Sequence, residues 1–498
     1  MTHPETVPLQ PAEDEPAPVA VRRGRGPILL VASLVLALLL GVGGWAGLTL
    51  LSAGGPAAQE VTPASAVAFA GVDLVPGLGQ QRKLAALLGK FPKLFTGEEL
   101  RPEGEDFRAD VAPWLGRRFG AALWLHGGEA YTLLTAASTD DDTARRGLAR
   151  IQGRQSSDDF GFVVADGHVL IARGDHGAQA AAEAAHAEAV KTPLSSVQAY
   201  KDAVGWLPEE RFAHAYADLA GVSKAMTALT RVAIDGAEDV PLSSLGSFGV
   251  LPGLGGTGKD ATGTAVIGVS AADSGLEVRF RTFGATASPA PAVSVDLLAD
   301  IGKLSGASVV AGSARLPELP EEMLGAFGGP DAEDLEGLDP EEIAEIQAEL
   351  ADGLSLTKAL KALDSARLTF AVTELGDLLP TLFAALDAKD ATVAKDLASA
   401  LKEMEVPLTV TVQGTHVEAV AQGYRGSSKL ADNPLFQQAI AGLPAKPDAA
   451  VYVDVTRLLE QADADAETRS TAAPIKAIAV ATAPLGADTG GMLRIVIQ

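Results

Sequence analysis

The chain has no cysteine in 498 residues, which excludes disulfides and a lipid anchor attached through a thiol. Any exported part is therefore held together by its core alone. Aromatic residues make up only 5%, and basic residues are outnumbered 39 to 64, for a formal net charge of −25. So acidic a surface repels phosphate backbones and anionic headgroups, and nucleic acid is not an expected partner. The charge is read as keeping an alanine-rich, weakly aromatic protein in solution. The seven histidines (His3, His126, His168, His176, His186, His214 and His416) include no His-Glu-x-x-His and no i, i+4 pair on an expected helix. No metal site is expected.

Long apolar runs are lacking too, with one exception. Gly26 to Leu51 is free of charged side chains and follows directly on Arg22, Arg23 and Arg25. At about 1.5 Å per residue these 26 residues span roughly 39 Å as a helix, enough to cross a hydrocarbon core of about 30 Å with some tilt. The arginines stay in the cytoplasm. The expected topology is a disordered cytoplasmic tail over 1–25, rich in proline, a transmembrane helix over 26–51, a linker over 52–63 and an extracytoplasmic remainder. The tail's three arginines and four acids sum to −1, which leaves −24 beyond the anchor. A cleaved signal peptide is the competing reading. Its apolar core would be about 7 to 15 residues, shorter than this run, although the small residues Ser52, Ala53, Gly54, Ala57 and Ala58 do follow it.

What the remainder has is repetition. Leu194, Tyr200, Ala203, Val204, Leu207, Pro208, Tyr216, Asp218 and Leu219 recur 236 residues later as Leu430, Phe436, Ala439, Ile440, Leu443, Pro444, Tyr452, Asp454 and Val455. Thr132, Leu133, Ala136, Asp141, Thr143, Leu148 and Ala149 recur 249 later as Thr381, Leu382, Ala385, Asp390, Thr392, Leu397 and Ala398. The 13-residue difference reads as a loop-length deletion. So long a period means one module written twice, not a solenoid. The boundaries are set at 64–288 and 289–498, within the Pro-containing linker Ala285 to Pro291.

Each copy mixes strands and helices. Ser65 to Leu74 reads as a strand before a helical pattern through Leu84, Leu87 and Leu88. Gly127-Gly128 and Asp166-Gly167 mark hairpins, Gln413-Gly414 marks another in the second copy, and Asp140 or Asp141 is an N-cap for a helix through Leu148 and Ile151. Late hairpins, Thr264 to Val269 with Leu276 to Thr282 and Ile475 to Ala481 with Met492 to Ile497, close the two halves. Hairpins with interleaved helices predict an α+β fold with largely antiparallel sheets, not a doubly wound parallel one. Residues 234–261 read as a long loop, and Glu318 to Leu350 as an acid-dense stretch in which Pro340 opens an amphipathic helix through Ile343, Ile346 and Leu350, rather than a calcium site.

No catalytic, cofactor-binding or metal-binding residue is assigned. Gly253-Leu254-Gly255-Gly256-Thr257-Gly258-Lys259 imitates a phosphate loop, but Asp260 stands where a magnesium-binding hydroxyl is needed, so nucleotide is not expected. Ser355-Leu356-Thr357-Lys358 lacks the companion motifs of penicillin-recognising enzymes, and Gly268 to Ala272 lacks the second glycine of a nucleophile elbow. Asp73, Asp218 and Asp454 end equivalent strands, but the fourth such position is Arg315, which suits helix caps better than catalysis. His168 and His176 read as a surface turn, and Asp463, Asp465 and Glu467 as a solvated run.

Phe69 to Leu74 soon after a single span, Pro113-Trp114-Leu115-Gly116 before a strand, and Leu207-Pro208 before Tyr216-x-Asp218-Leu219 form one pattern. It resembles an uncharacterised actinobacterial family of single-span membrane proteins catalogued as a domain of unknown function, of the DUF thirty-three fifty-two type. The resemblance covers most of residues 60–498. It implies a membrane anchor with an extracytoplasmic α+β domain and carries over no catalytic residue. The expected protein is a membrane-anchored, cell-envelope binding module, not an enzyme. It takes no cofactor, and a hydrophobic envelope component or a protein partner sits between its two modules. An envelope hydrolase with a scattered site and a purely structural spacer are the alternatives.

Overall fold

The computed structural model describes residues 55–74, 76–91, 109–154, 158–174, 176–225, 262–284, 296–316, 366–376, 380–403, 407–424, 426 and 428–498. The expected tail and span, the acidic helix, the linker over 285–291, the phosphate-loop imitation and the Ser355 to Lys358 match lie outside the described residues. Among the described residues no helix is long and apolar enough to cross a membrane.

The first half contains β1 (Ala66–Asp73), β2 (Leu115–His126), β3 (Glu129–Ser138), β4 (Phe160–Ala165), β5 (His168–Arg173), β6 (Ala213–Asp218), β7 (Thr264–Ala272) and β8 (Gly275–Phe283). Its helices are α1 (Leu78–Leu88), α2 (Asp141–Gln152), α3 (Ala178–Lys191) and α4 (Gln198–Gly205). The second half contains β9 (Val310–Arg315), β10 (Arg367–Glu374), β11 (Thr381–Asp387), β12 (Leu408–Gln413), β13 (His416–Ala421), β14 (Ala449–Asp454), β15 (Ile475–Leu485) and β16 (Asp488–Ile497). With these go α5 (Leu297–Gly302), α6 (Ala391–Glu403), α7 (Pro434–Ile440), α8 (Val455–Gln461) and α9 (Ala466–Ala472).

All sixteen strands form one antiparallel sheet, so the fold is α+β as the hairpin signals predict. The order is β12-β13-β11-β10-β9-β14-β15-β16-β8-β7-β6-β1-β2-β3-β5-β4. Outward from the β8–β16 pair, the order β8-β7-β6-β1-β2-β3-β5-β4 recurs strand for strand as β16-β15-β14-β9-β10-β11-β13-β12. The registers recur too. Gly71 of β1 faces His214 of β6, and Ser313 and Ala450, 242 and 236 residues on, face each other between β9 and β14. The sheet runs unbroken across the boundary expected near 289, because β16 pairs with β8 from Thr489 opposite Thr282 to Val496 opposite Gly275.

Local chemistry explains the turns and caps. Gly127 and Gly128 (φ 62° and 89°) and Asp166 and Gly167 (φ 50° and 77°) hold the left-handed conformations that a two-residue hairpin of matching twist requires. Asp140 caps α2 by accepting from the Thr143 N–H at 2.9 Å, and Asp390 caps α6 by accepting from the Val393 N–H at 3.0 Å. These caps are 250 residues apart, so the structural counterpart of Asp390 is Asp140; the sequence pairing with Asp141 slips by one residue.

The 13-residue offset is not a loop. It corresponds to α3, a helix of 14 residues whose Ala178, Ala181, Ala182, Ala185 and Ala189 are buried against β4 and β5. Among the described residues the second half has no counterpart, and the element after β13 is the 3-10 turn Leu430–Asp432. Small side chains all along one helix face allow close approach to the sheet. Gly161 completes that contact, since a Cβ there would lie 2.3 Å from the backbone of Ala178 and Gln179.

Candidate functional site

The strands flanking the missing helix already differ in sequence. Phe160–Ala165 reads Phe-Gly-Phe-Val-Val-Ala, apolar on both faces, and β4 is sandwiched between α2 and α3. Leu408–Gln413 reads Leu-Thr-Val-Thr-Val-Gln, and β12 is covered by α6 on its Leu/Val face while Thr409, Thr411 and Gln413 are exposed. Alternation of this kind marks a strand with one dry face. Where α3 sits on the first half, no described residue of the second half covers the sheet face, and beside it lies a pocket of about 590 Å³.

Three separated segments build the pocket. Lys303, Leu304 and Ser305 follow α5, Phe383 comes from β11, and Tyr424, Gly426, Ser428, Lys429 and Asp432 surround the segment that replaces α3. Phe383 and Tyr424 stack with ring centroids 5.4 Å apart. The Tyr424 hydroxyl accepts from the Ser305 N–H at 3.2 Å, and burial pushes its pKa above the usual tyrosine value. Backbone bonds from Gly306 N–H to Ser428 O (2.8 Å) and Leu430 N–H to Leu304 O (2.8 Å) tie the floor together. Lys303 is paired with Asp300 at 2.8 Å, and Lys429 is exposed at the rim.

Next to the pocket a row of charges crosses the same sheet face. Arg367 of β10 bonds Asp300 at 2.9 Å and Asp387 at 2.7 Å; His416 is hydrogen-bonded through Nδ1 to Asp387 at 2.7 Å and through Nε2 to Glu418 at 3.3 Å. Burial opposes charge on both His416 and Asp387, but the hydrogen bonds outweigh it, holding His416 above and Asp387 below their usual values. Both ring nitrogens have a carboxylate partner, and among the described residues no serine hydroxyl bonds either. The hairpin registers make His168 the counterpart of His416, and there the strand opposite supplies Ala137 instead of a carboxylate. Under α3, His168 is buried and lies 5.5 Å from His186; burial, then the neighbouring His186, lowers its pKa. The structure thus sets His168 beside His186, not beside His176 on a surface turn.

A second polar pair lies in the first-half core. Tyr200 of α4 and Nε2 of His214 are 2.6 Å apart. Burial, then the charge on Arg211, pushes His214 down to about 4, so the ring is neutral and the tyrosine hydroxyl donates to it. Gly71 makes room, since a Cβ there would lie 2.9 Å from the Phe69 ring and 3.3 Å from His214. The second-half counterparts are Phe436 and Ala450, which need no such pair.

Two of the strand-end aspartates part company. Asp454 caps α8 through the Arg457 N–H at 3.1 Å, as expected, whereas Asp73 is ion-paired with Arg118 at 3.2 Å. Asp465 of the expected solvated run is the N-cap of α9, bonded to the Thr468 N–H at 2.7 Å. Gly268 to Ala272 lies in β7 and forms no elbow. His126 stacks on Trp124 at 4.6 Å. Among the described residues no cluster of three or more His, Asp or Glu could hold a metal ion. The pocket was missed because its members come from 303–305, 383 and 424–432; the signals that point to it are the 13-residue offset and the alternation in β12.

No protein family and no curated protein matches the chain. Among solved structures it is similar to TP0453. Crystal form I aligns with a TM-score of 0.25 at 8% identity, covering 48% of this chain and 82% of that one. Crystal form III aligns with a TM-score of 0.15 at 8% identity, covering 76% and 98%. Likeness this slight carries no argument about fold or function.

Proposed function

We propose that the chain is a membrane-anchored, extracytoplasmic binding protein of the cell envelope, and that its ligand site is the pocket around Phe383 and Tyr424. The observation that carries the reading is a stacked aromatic pair left open where the other half has a helix, with Lys303 and Lys429 beside it in an otherwise acidic chain. Clefts of this size with an apolar wall and a few convergent polar groups are where small ligands bind. The fitting ligand is an anionic amphiphile, its apolar part on the two rings and its acidic group toward the lysines. The charge-free run Gly26 to Leu51 supports the anchor. The repeated strand order and register support the reading of two copies of one module, and the actinobacterial family resembled above is the proposed relationship. The copies meet in the β8–β16 ladder, so the ligand is placed within the second copy, not between the two.

The test is native mass spectrometry of the full chain released from its own membrane. A reproducible extra mass is expected on the wild type and absent from Phe383→Ala/Tyr424→Ala. An extra mass that survives the double substitution, or none at all on either protein, overturns the assignment. A hydrolase is the competing reading, supported by the His416–Asp387 bond. It predicts that His416→Asn abolishes turnover of an envelope ester or amide, while the binding reading predicts retention of the ligand.

A further inference from the structure

The sheet has two edges, and the sequence treats them in opposite ways. In the β4–β5 hairpin, Ala165 opposite His168 closes the two-residue turn, so the backbone groups of Phe160, Phe162 and Val164 point away from the sheet. All three are met by side chains. Gln179 of α3 accepts from the Phe162 N–H at 3.0 Å and donates to the Phe162 carbonyl at 3.2 Å. Gln152 donates to the Phe160 carbonyl and Arg145 to the Val164 carbonyl, each at 3.1 Å. A strand approaching β4 finds four of the six outward groups taken, all three carbonyls among them.

At the other edge, Gln413 opposite His416 closes the β12–β13 hairpin, which turns the backbone groups of Leu408, Val410 and Val412 outward. Among the described residues none of these groups is met by a side chain. Gln179 has no counterpart because α3 has none. By the helix caps, Lys395 and Lys402 of α6 stand where Arg145 and Gln152 stand on α2, and both are exposed without a bond to β12. An edge strand with free N–H and C=O groups is a template for another strand.

We infer that β12 pairs antiparallel with β12 of a second copy of this chain, across a two-fold axis, to extend the sheet from one copy into the other. Three observations select that occupant. β12 carries no charged residue, so no like charges are opposed even though each chain is strongly acidic. Its alternation is self-complementary: Thr opposes Thr or Gln on the open face, and Val opposes Val or Leu on the face backed by α6. Such cross-strand pairs are the unit of sheet stabilisation. At the remaining edge, β4, side chains already hold all three outward carbonyls and the Phe162 N–H, so association stops at two copies and does not grow into a fibre.

The absence of cysteine gives a direct test. Val410→Cys, Thr411→Cys and Val412→Cys are made singly in the full-length chain, held in detergent or nanodiscs, and oxidised. Residues directly opposed across an antiparallel pair lie about 4.5–5.5 Å apart at Cβ, within disulfide reach. A covalent species of twice 50.9 kDa is expected from at least one of the three, and the position that cross-links reads the register. An Asp166→Cys control on the distal hairpin is expected to stay monomeric. Without oxidant, Thr411→Lys is expected to convert the dimer into a monomer with unchanged circular dichroism, since the Thr411 N–H faces β13 and its own ladder is kept. A monomer at every concentration overturns the inference. So does a dimer with no cross-link at any of the three positions, or a cross-link from β12 to a different polypeptide.

Discussion

The two outer wings of the sheet have the same three strands in the same order, yet one is a closed three-layer sandwich and the other lies open. The first wing carries α2 below and α3 above; the second carries α6 below and nothing above among the described residues. The difference is legible position by position. Gly161, Leu170 and His168 under the helix correspond to Thr409, Glu418 and His416 in the open. A glycine that lets a helix approach becomes a β-branched surface residue, a fully buried leucine becomes a glutamate, and a histidine whose charge burial disfavours becomes one whose charge its carboxylate partners favour. One helix therefore sets the burial, charge and edge chemistry of everything beneath it.

The sharpest way to break this comparison is to place the same side chain in both wings. Gly161→Val drives methyl groups into the backbone of α3 and is expected to cost more than about 3 kcal/mol in denaturant unfolding, beyond ordinary overpacking because backbone must move. Thr409→Val, at the matching open position, is expected within about 0.5 kcal/mol of wild type. Equal costs would mean that α3 is not seated as described.

The core pair is next. His214 binds its proton less readily folded than unfolded, so its contribution is complete above pH 6.5 and is lost as the pH falls toward 4. The loss amounts to about 3 kcal/mol over that range. Tyr200→Phe/His214→Ala, which installs the second-half residues, is expected to flatten thermal stability against pH over the same window. A slope unchanged in the double variant would assign it elsewhere.

The paired surface histidines sharpen the comparison at smaller amplitude. His416 gains affinity for its proton on folding, so its contribution is present below pH 6.5 and lost as the pH rises through its raised folded value. Its side chain is 38% exposed, which limits the effect of His416→Ala to less than about 1 kcal/mol, seen at pH 5.5 and absent at pH 9. His168, lowered by burial, has the opposite sign and weakens the fold as the pH falls below 6.5. Gln179→Ala is expected to cost about 1 kcal/mol for hydrogen bonds at a wet edge. Its more telling result is expected in sedimentation, where species larger than a dimer form once β4 is also free to pair.

Much of this architecture could be read before any coordinates. Asp166-Gly167 and Gly127-Gly128 announced their hairpins because only a few residues tolerate positive φ, and the spacing of Tyr216 and Tyr452 announced the recurrence of strand and register. The length of the difference between halves was legible, but not its nature. A run such as Ala178–Lys191 buries alanines alone, and with no large apolar side chain on its inner face it does not declare the surface it packs on. The pocket was hidden for a different reason, since Ser305, Phe383 and Tyr424 are ordinary residues until three segments converge. Asp73 was misread because an arginine on the neighbouring strand, Arg118, is invisible to a local capping rule.

The seam between halves bears on the order in which the molecule assembles. Thr282 and Thr489, which lie together in the middle of the sheet, are 207 residues apart in the chain. Until the second half has been made and folded, the first presents β8 as a raw, unpaired border with Leu276, Val278 and Phe280 along it. Contacts of such long sequence separation form slowly. A nascent chain emerging in order therefore passes through a stage that is sticky at the very place that ends up most protected, and a fragment cut near residue 289 would be stranded there. The centre of the finished sheet is the last thing to close.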